Sequence, residues 1–280
     1  MVCPNGVKVT ELIALARGQS RSGVGVRRKG TRTLRDWVLA HSDLVGKAGT
    51  SVASLTNPVA SSSLVRGVLD RALGIDHRRP LPRFSGRTFT AWARNRGIFA
   101  TPAGPLTRSR SATASQSEGR PVGKMLAYFP GCYVNYYDPD LGIAVVEVLE
   151  RNGFSVIVPD VMCCGLPLIA NGFLGDARKG AAHNVETLRA LVDQGMDIIF
   201  SSTSCCLTVK SDYPGLLDVP GADAVAGRAR DISEFLLDLH AHWLLDAGFG
   251  TIEETVAYHA PCHLKAQGIL RPAVDLLSLI

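Results

Sequence analysis

A chain of 280 residues with 46% hydrophobic content and a mean hydropathy of +0.13 has enough apolar material for one sizeable core plus an appendage, which excludes overall disorder. Its seven cysteines, an odd number with two adjacent pairs, do not form a secreted disulfide framework; with no cleavable apolar leader and no run near the roughly 18 apolar residues of a membrane span, a reducing cytoplasm is expected. The net charge of +5 conceals a split, because residues 1–124 hold 21 Lys and Arg against 6 Asp and Glu (net +15) and residues 125–280 hold 9 against 19 (net −10), so two regions with different partners are expected.

Residues 1–20 open with Cys3-Pro4 and continue into a short helical pattern, Val9 to Arg17. A Cys-Pro pair closes the ferredoxin-type run C-x2-C-x2-C-x3-C-P, but the three upstream cysteines are absent here. Residues 21–100 form a basic, mainly helical region. Apolar spacing predicts one helix from Thr33 to about Lys47 and another from Leu64 to Leu73, with a break at Asn57-Pro58 between them. Ile75 to Arg83 reads as extended because of its prolines, and Phe89, Trp92, Ala93, Arg94 and Arg96 make a short amphipathic stretch. Two readings of this charge stand side by side: a solvated face, or an anchor in which arginines beside Trp92 and Phe89 meet an anionic bilayer surface. No nucleic-acid recognition motif accompanies the charge, so nucleic acid is not an expected partner. Residues 101–124, rich in Ser, Thr, Pro, Gly and Ala, read as a linker.

From residue 125 the pattern becomes α/β. Strands are predicted at Met125–Phe129, Phe154–Val158, Asp197–Phe200 and Thr255–Tyr258, and helices at Leu141–Leu149, Asp176–Leu191, near Leu207 and at Ile232–Leu245. This alternation implies right-handed crossovers and a parallel sheet. Residues 125–250 are expected to form one module and 251–280 the truncated start of another, since Ala127-Tyr128 with Cys132 recurs as Ala257-Tyr258 with Cys262.

Cysteine follows the end of each of the first three strands: Cys132, then Cys163-Cys164-Gly165, then Cys205. In an open α/β sheet the crevice beyond the carboxyl ends of the strands is where ligands bind, so these four thiols are placed to converge. A helix opening after Ser204 would lower the Cys205 pKa. Adjacent cysteines are poor material for a structural disulfide and better suited to one small metal centre. Gly165 adds a position where the backbone can approach an inorganic sulfide and aim an N–H at it. The plain alternative is that two small hydrophobes fill a core. Among metals, zinc favours compact C-x2-4-C knuckles, which do not occur here, so an iron-sulfur cluster is the stronger expectation.

Gly131-Cys132-Tyr133-Val134-Asn135-Tyr136, Cys163-Cys164-Gly165-Leu166-Pro167 through Phe173, Ser204-Cys205 through Asp212-Tyr213-Pro214, and Tyr258-His259-Ala260-Pro261-Cys262-His263 resemble the cysteine-rich CCG-domain family. That family includes the B subunit of heterodisulfide reductase and the iron-sulfur subunits of glycolate and lactate oxidation systems. The basic region, with Thr33-Leu34-Arg35-Asp36-Trp37 and Gly74 through Pro82, is similar to the branch formed by the C subunits of anaerobic glycerol-3-phosphate dehydrogenases. The resemblance implies Cys132, Cys163, Cys164 and Cys205 as cluster ligands, with a 4Fe-4S cluster as the cofactor. It implies Cys262 as a ligand of a second module and Cys3 as the last ligand of a lost ferredoxin domain, so that the chain resembles a fragment. Heterodisulfide reductases carry C-x-x-C where this chain has Cys205 and Thr208, with an additional Cys206.

The resulting expectation is an iron-sulfur subunit that passes electrons from a flavin-dependent glycerol-3-phosphate dehydrogenase toward membrane quinone, peripheral on the inner face of the membrane. Flavin and substrate belong on the partner, because no G-x-G-x-x-G follows a strand here. A thiol/disulfide redox enzyme and a structural zinc module are the rival readings. His77, His183, His240 and His242 lack ligand spacing with the cysteines, whereas His259 and His263 flank Cys262 and could shape a site. A last expectation is an apolar rim around Leu270, Val274, Leu276, Leu277 and Ile280.

Overall fold

A computed structural model describes residues 8–21, 31–100, 123–269 and 271–280. Cys3, Leu270 and nearly all of the expected linker lie outside the described residues. The basic region folds as α1 (Val9–Arg21), α2 (Thr31–Ala40), α3 (Ser42–Ser51), α4 (Ala53–Ser61), α5 (Ser63–Leu73) and α6 (Phe89–Arg96), ending in the two-residue strand β1 (Phe99–Ala100). There follow β2 (Met125–Phe129), α7 (Gly131–Tyr136), α8 (Pro139–Arg151), β3 (Ser155–Pro159), α9 (Leu166–Ala170), α10 (Leu174–Val192) and β4 (Asp197–Phe200). The chain continues through α11 (Thr203–Leu207), a π-helical stretch Thr208–Leu216, α12 (Ala222–Ala226), β5 (Ala229–Asp231), α13 (Ile232–Ala241), α14 (Cys262–Ala266) and α15 (Pro272–Leu277).

The five strands form one parallel sheet in the order β1-β3-β2-β4-β5. β3 and β4 are buried along their whole length, as befits strands covered on both faces. One face packs Phe129, Ile157, Ile198 and Phe200 against α10 residues such as Ala181 and Leu188; the other packs Tyr128, Val156 and Ile199 with Val146, Leu149 and Phe235. The chain runs from β2 to β3 on one side and crosses back to β4 on the other. The point of reversal therefore lies between β2 and β4, and the loops after both strands open onto the same crevice.

Several expectations change. The single helix from Thr33 divides at His41 into α2 and α3. Pro58 lies inside α4 rather than breaking it, because Asn57 is fixed by a two-way bond to Phe84, its Oδ1 accepting from the Phe84 N–H and its Nδ2 donating to the Phe84 carbonyl, both at 2.9 Å. Residues 255–258 do not form a strand: among the described residues no neighbouring strand offers them a ladder, and Val256 is 62% exposed. α13 stops at Ala241, short of Leu245. Phe89 is fully buried, and Trp92 lies partly buried against the same core with the Arg96 guanidinium 5.1 Å from its ring, so neither is an exposed anchor.

The basic region is stitched to the module rather than tethered to it. The Val158 N–H donates to the Ile98 carbonyl at 2.8 Å, making β1 an edge strand of the module's sheet. α3 lies directly on α7: a Cβ added at Gly46 would come within 2.5 Å of the Tyr136 ring, and Thr50 Oγ1 donates to the Tyr136 carbonyl at 3.2 Å. α1 lies against the end of α9, where Arg21 Nε donates to the Asn171 carbonyl at 2.6 Å and Arg17 to that of Ala170.

Candidate metal centre

The four cysteines that follow strands come together. Cys132 sits in the first turn of α7, Cys163 and Cys164 in the turn between β3 and α9, and Cys205 in α11, whose start is capped by Ser202. Their thiols form a hydrogen-bonded chain: Cys132 to Cys163, Cys163 to Cys164, and Cys164 to Cys205. Gly131 closes the ends of the group, since a Cβ there would stand 3.1 Å from the Cys205 sulfur. With φ at +70°, Gly131 also holds a backbone conformation that other residues rarely adopt.

The chain of bonds sorts the thiols into two classes. Cys163 is held well below its ordinary value, first by the Cys132 thiol and then by Cys164, with help from the Gly165 N–H. Cys205 is lowered chiefly by the Cys164 thiol, with the Ser202 hydroxyl assisting. Cys132 and Cys164 move the other way, raised by their interactions with those sulfurs and by burial. Along the group, raised and lowered thiols thus alternate. A cation would convert it to four thiolates with release of the remaining protons.

Its spacing discriminates among cations. Among the described residues no three cysteine sulfurs all lie within 4.8 Å of one another. A single zinc ion with Zn–S bonds of about 2.3 Å needs all four sulfurs within about 4 Å of each other. A cluster of several iron atoms, each taking one thiolate, accepts the wider arrangement. Gly165 fits the same group: its amide acts on Cys163, as the expected approach to cluster sulfur requires.

Two features of the site escaped the sequence reading. Asn184, fully buried in the middle of α10, clamps the vicinal-cysteine turn: its Oδ1 accepts from the Met162 N–H at 2.7 Å, and its Nδ2 donates to the Met162 carbonyl at 3.2 Å and to the Tyr213 hydroxyl at 2.9 Å. Its signal was available, because an amide stands in the apolar stripe Ala177, Ala181, Val185, Leu188. The second is Ser42 of α3, whose buried hydroxyl faces Cys132 and makes no hydrogen bond among the described residues. No local pattern marks it.

The remaining candidates fall outside the group. Cys262 is exposed and makes no bond to the other cysteines among the described residues. Cys206 is fully buried on the core side of α11, with burial pushing its thiol up to about 12. Thr208, at the position of the second cysteine of a C-x-x-C, is also fully buried. His263 does approach the site: its Nδ1 lies 2.6 Å from the hydroxyl of Ser204, next to Cys205, while His259 is exposed.

The cysteine-rich domain family known as CCG matches residues 126–210, the stretch that contains all four converging cysteines. Residues 126–210 thus match a CCG cysteine-rich domain. Across 287 aligned positions the chain is 35% identical to the C subunit of the anaerobic glycerol-3-phosphate dehydrogenase of Escherichia coli K12, covering 99% of this chain and 63% of that protein. It is 36% identical over 168 positions to the B subunit of the fumarate reductase (CoM/CoB) of Methanothermobacter marburgensis, covering 59% of this chain and 31% of the relative. It is 32% identical over 165 positions to the D subunit of the dihydromethanophenazine:CoB–CoM heterodisulfide reductase of Methanosarcina acetivorans, covering 55% and 38%. The chain therefore spans less than two thirds of the length of these relatives. No solved structure matches.

Proposed function

We propose that this CCG chain is an iron-sulfur electron-transfer subunit, with Cys132, Cys163, Cys164 and Cys205 holding one cluster of 4Fe-4S type. Convergence of four sulfur donors at a spacing too wide for one zinc ion is the observation that carries this reading. When bound, such a cluster supplies reversible one-electron transfer. The protein's part is to hold and tune. Burial of Cys164 and Cys205 keeps water from the inner side, while Cys132 and Cys163 are only partly buried and form the edge through which electrons enter or leave. The Gly165 N–H on Cys163 favours added negative charge and so raises the potential.

Similarity to a subunit of an anaerobic glycerol-3-phosphate dehydrogenase supports glycerol 3-phosphate as the source of the electrons, and the family resemblance of the sequence implies a flavin-dependent dehydrogenase on another chain as donor and membrane quinone as destination. The basic region is the docking face for the membrane. No helix among the described residues is long and apolar enough to cross a bilayer. α4 and α5 instead leave Leu55 68%, Val59 54%, Leu64 81% and Val68 61% exposed beside Arg66 and Arg71, an apolar and basic surface suited to an anionic membrane face.

The test is anaerobic reconstitution with iron and sulfide, reduction with dithionite, and reoxidation by a soluble quinone analogue followed in optical and electron paramagnetic resonance spectra. A reducible iron-sulfur spectrum that the quinone bleaches back supports the proposal. A colourless chain with bound zinc, or thiols that cycle to a disulfide without iron, supports one of the rival readings instead. Flotation with anionic vesicles, lost as salt rises, tests the membrane face separately.

A further inference from the structure

A cleft of about 700 Å³ opens onto Cys132 and Cys163, the exposed edge of the proposed centre, and the function proposed above assigns it no ligand. Its size is that of a small-molecule site, and it lies beyond the carboxyl ends of β1, β2 and β3, where open α/β sheets take ligands. The module does not build it alone, since α3 and α6 of the basic region supply much of the wall.

Three kinds of surface line it. Cys132 and Cys163 are one; Phe99, Phe129 and Met162 make a second, apolar and largely aromatic; Lys47 of α3 and Arg94 of α6 make the third. Neither Lys47 nor Arg94 makes an ion pair or a side-chain hydrogen bond among the described residues, whereas the neighbouring Arg87 is held by Asp140 at 2.6 Å. The Arg94 guanidinium lies 4.0 Å over the Phe99 ring, which fixes it at the junction of the apolar and cationic surfaces. These cations do not serve the cysteines: the groups acting on Cys163 are Cys132, Cys164 and the Gly165 amide. Two carboxylates also line the cleft. Burial raises the Asp43 carboxyl, favouring its neutral form against the weaker opposing pull of Lys47, and it shares a hydrogen bond with Tyr136, while Asp160 is exposed.

We propose that this cleft binds a small organic anion, with its charged oxygens on Lys47 and Arg94 and its body along Phe99 toward Cys132 and Cys163. Both a carboxylate and a phosphate ester offer the required oxygens. The site does not depend on the cluster, because no cysteine is asked to bind the ligand.

The test is calorimetric titration of the full-length chain, under argon and at constant ionic strength, with inorganic phosphate and with succinate. One of the two is expected to saturate at one site per chain, and which one does so identifies the headgroup. Lys47→Gln and Arg94→Gln should each weaken that binding roughly tenfold, as expected for loss of a charge-assisted contact, and Lys179→Gln on exposed α10 should leave it unchanged. Because the Lys47 side chain makes no hydrogen bond or ion pair among the described residues, Lys47→Gln remains decisive even if Arg94→Gln loosens the Phe99 stack. Absence of saturation by either anion, or wild-type affinity in Lys47→Gln, overturns the proposal.

Discussion

Ala127-Tyr128 before Cys132 and Ala257-Tyr258 before Cys262 share the same spacing, yet the chain gives them opposite environments. The first pair lies in β2, between β3 and β4, where Tyr128 is fully buried with its hydroxyl 2.8 Å from that of Ser201 and Cys132 meets Cys163. The second has no strand on either side, leaving Tyr258 38% exposed and Cys262 in solvent. A strand is a property of its neighbours as much as of its letters: a ladder on both edges and a covered face convert a β-prone run into a buried platform. Cys132 is a candidate ligand because β2 aims it at the reversal point of the sheet, and Cys262 lacks that support.

Substitutions on the two sides should therefore differ most in stability. Phe200 stacks on Phe129 at 5.0 Å with both side chains buried, so Phe200→Ala is expected to cost about 3–5 kcal/mol in urea unfolding. Val256→Ala, in the unpaired counterpart, should stay within about 0.5 kcal/mol. A large loss at Val256 would mean that the second stretch is packed after all.

The clamp behind the vicinal cysteines comes next in size. Asn184→Ala leaves the Met162 backbone and the Tyr213 hydroxyl without their buried partner, an expected loss of about 1–3 kcal/mol. Alkylation of Cys163 in the metal-free chain should become faster as the turn loosens, whereas alkylation of Cys262 should not change. Equal alkylation in variant and wild type would reduce Asn184 to a packing residue.

The smallest effect concerns the π-helical stretch that carries Tyr213. Burial raises Asp212 from 3.8 to about 6. Between those values the folded chain keeps a proton that the unfolded chain has released, so this contribution to stability is full below the unfolded value and is lost as pH rises through about 6. Asp212→Asn should therefore be more stable than wild type by about 1–2 kcal/mol at pH 7.5, allowing for partial exposure, and equal to it near pH 3.5. The reverse order at pH 7.5 would show that the carboxylate is held by partners rather than penalised.

Legibility in the sequence followed the same division. β2, β3 and β4 announced themselves as apolar runs, and their loops carried the cysteines, so the convergence of Cys132, Cys163, Cys164 and Cys205 followed from strand order alone. β1 and β5, two and three residues long, are too short to show a period and exist because the sheet edge accepts them. Pro58 and the Thr255–Tyr258 run misled for a common reason: a local signal was overruled by tertiary partners, present around Asn57 and absent beside Val256. The Ser42 hydroxyl and the Lys47–Arg94 wall could not be read at all, because they depend on α3 and α6 docking across the mouth of a site more than thirty residues away.

The most direct measurement is iron and acid-labile sulfide per chain after anaerobic reconstitution of single Cys→Ser variants. Wild type, Cys206→Ser and Cys262→Ser are predicted to bind iron and sulfide alike, and Cys132→Ser, Cys163→Ser, Cys164→Ser and Cys205→Ser each to lose most of both. Loss of iron in Cys262→Ser as deep as in Cys132→Ser, or a wild-type chain that keeps zinc and takes up no sulfide, would contradict the four-cysteine centre.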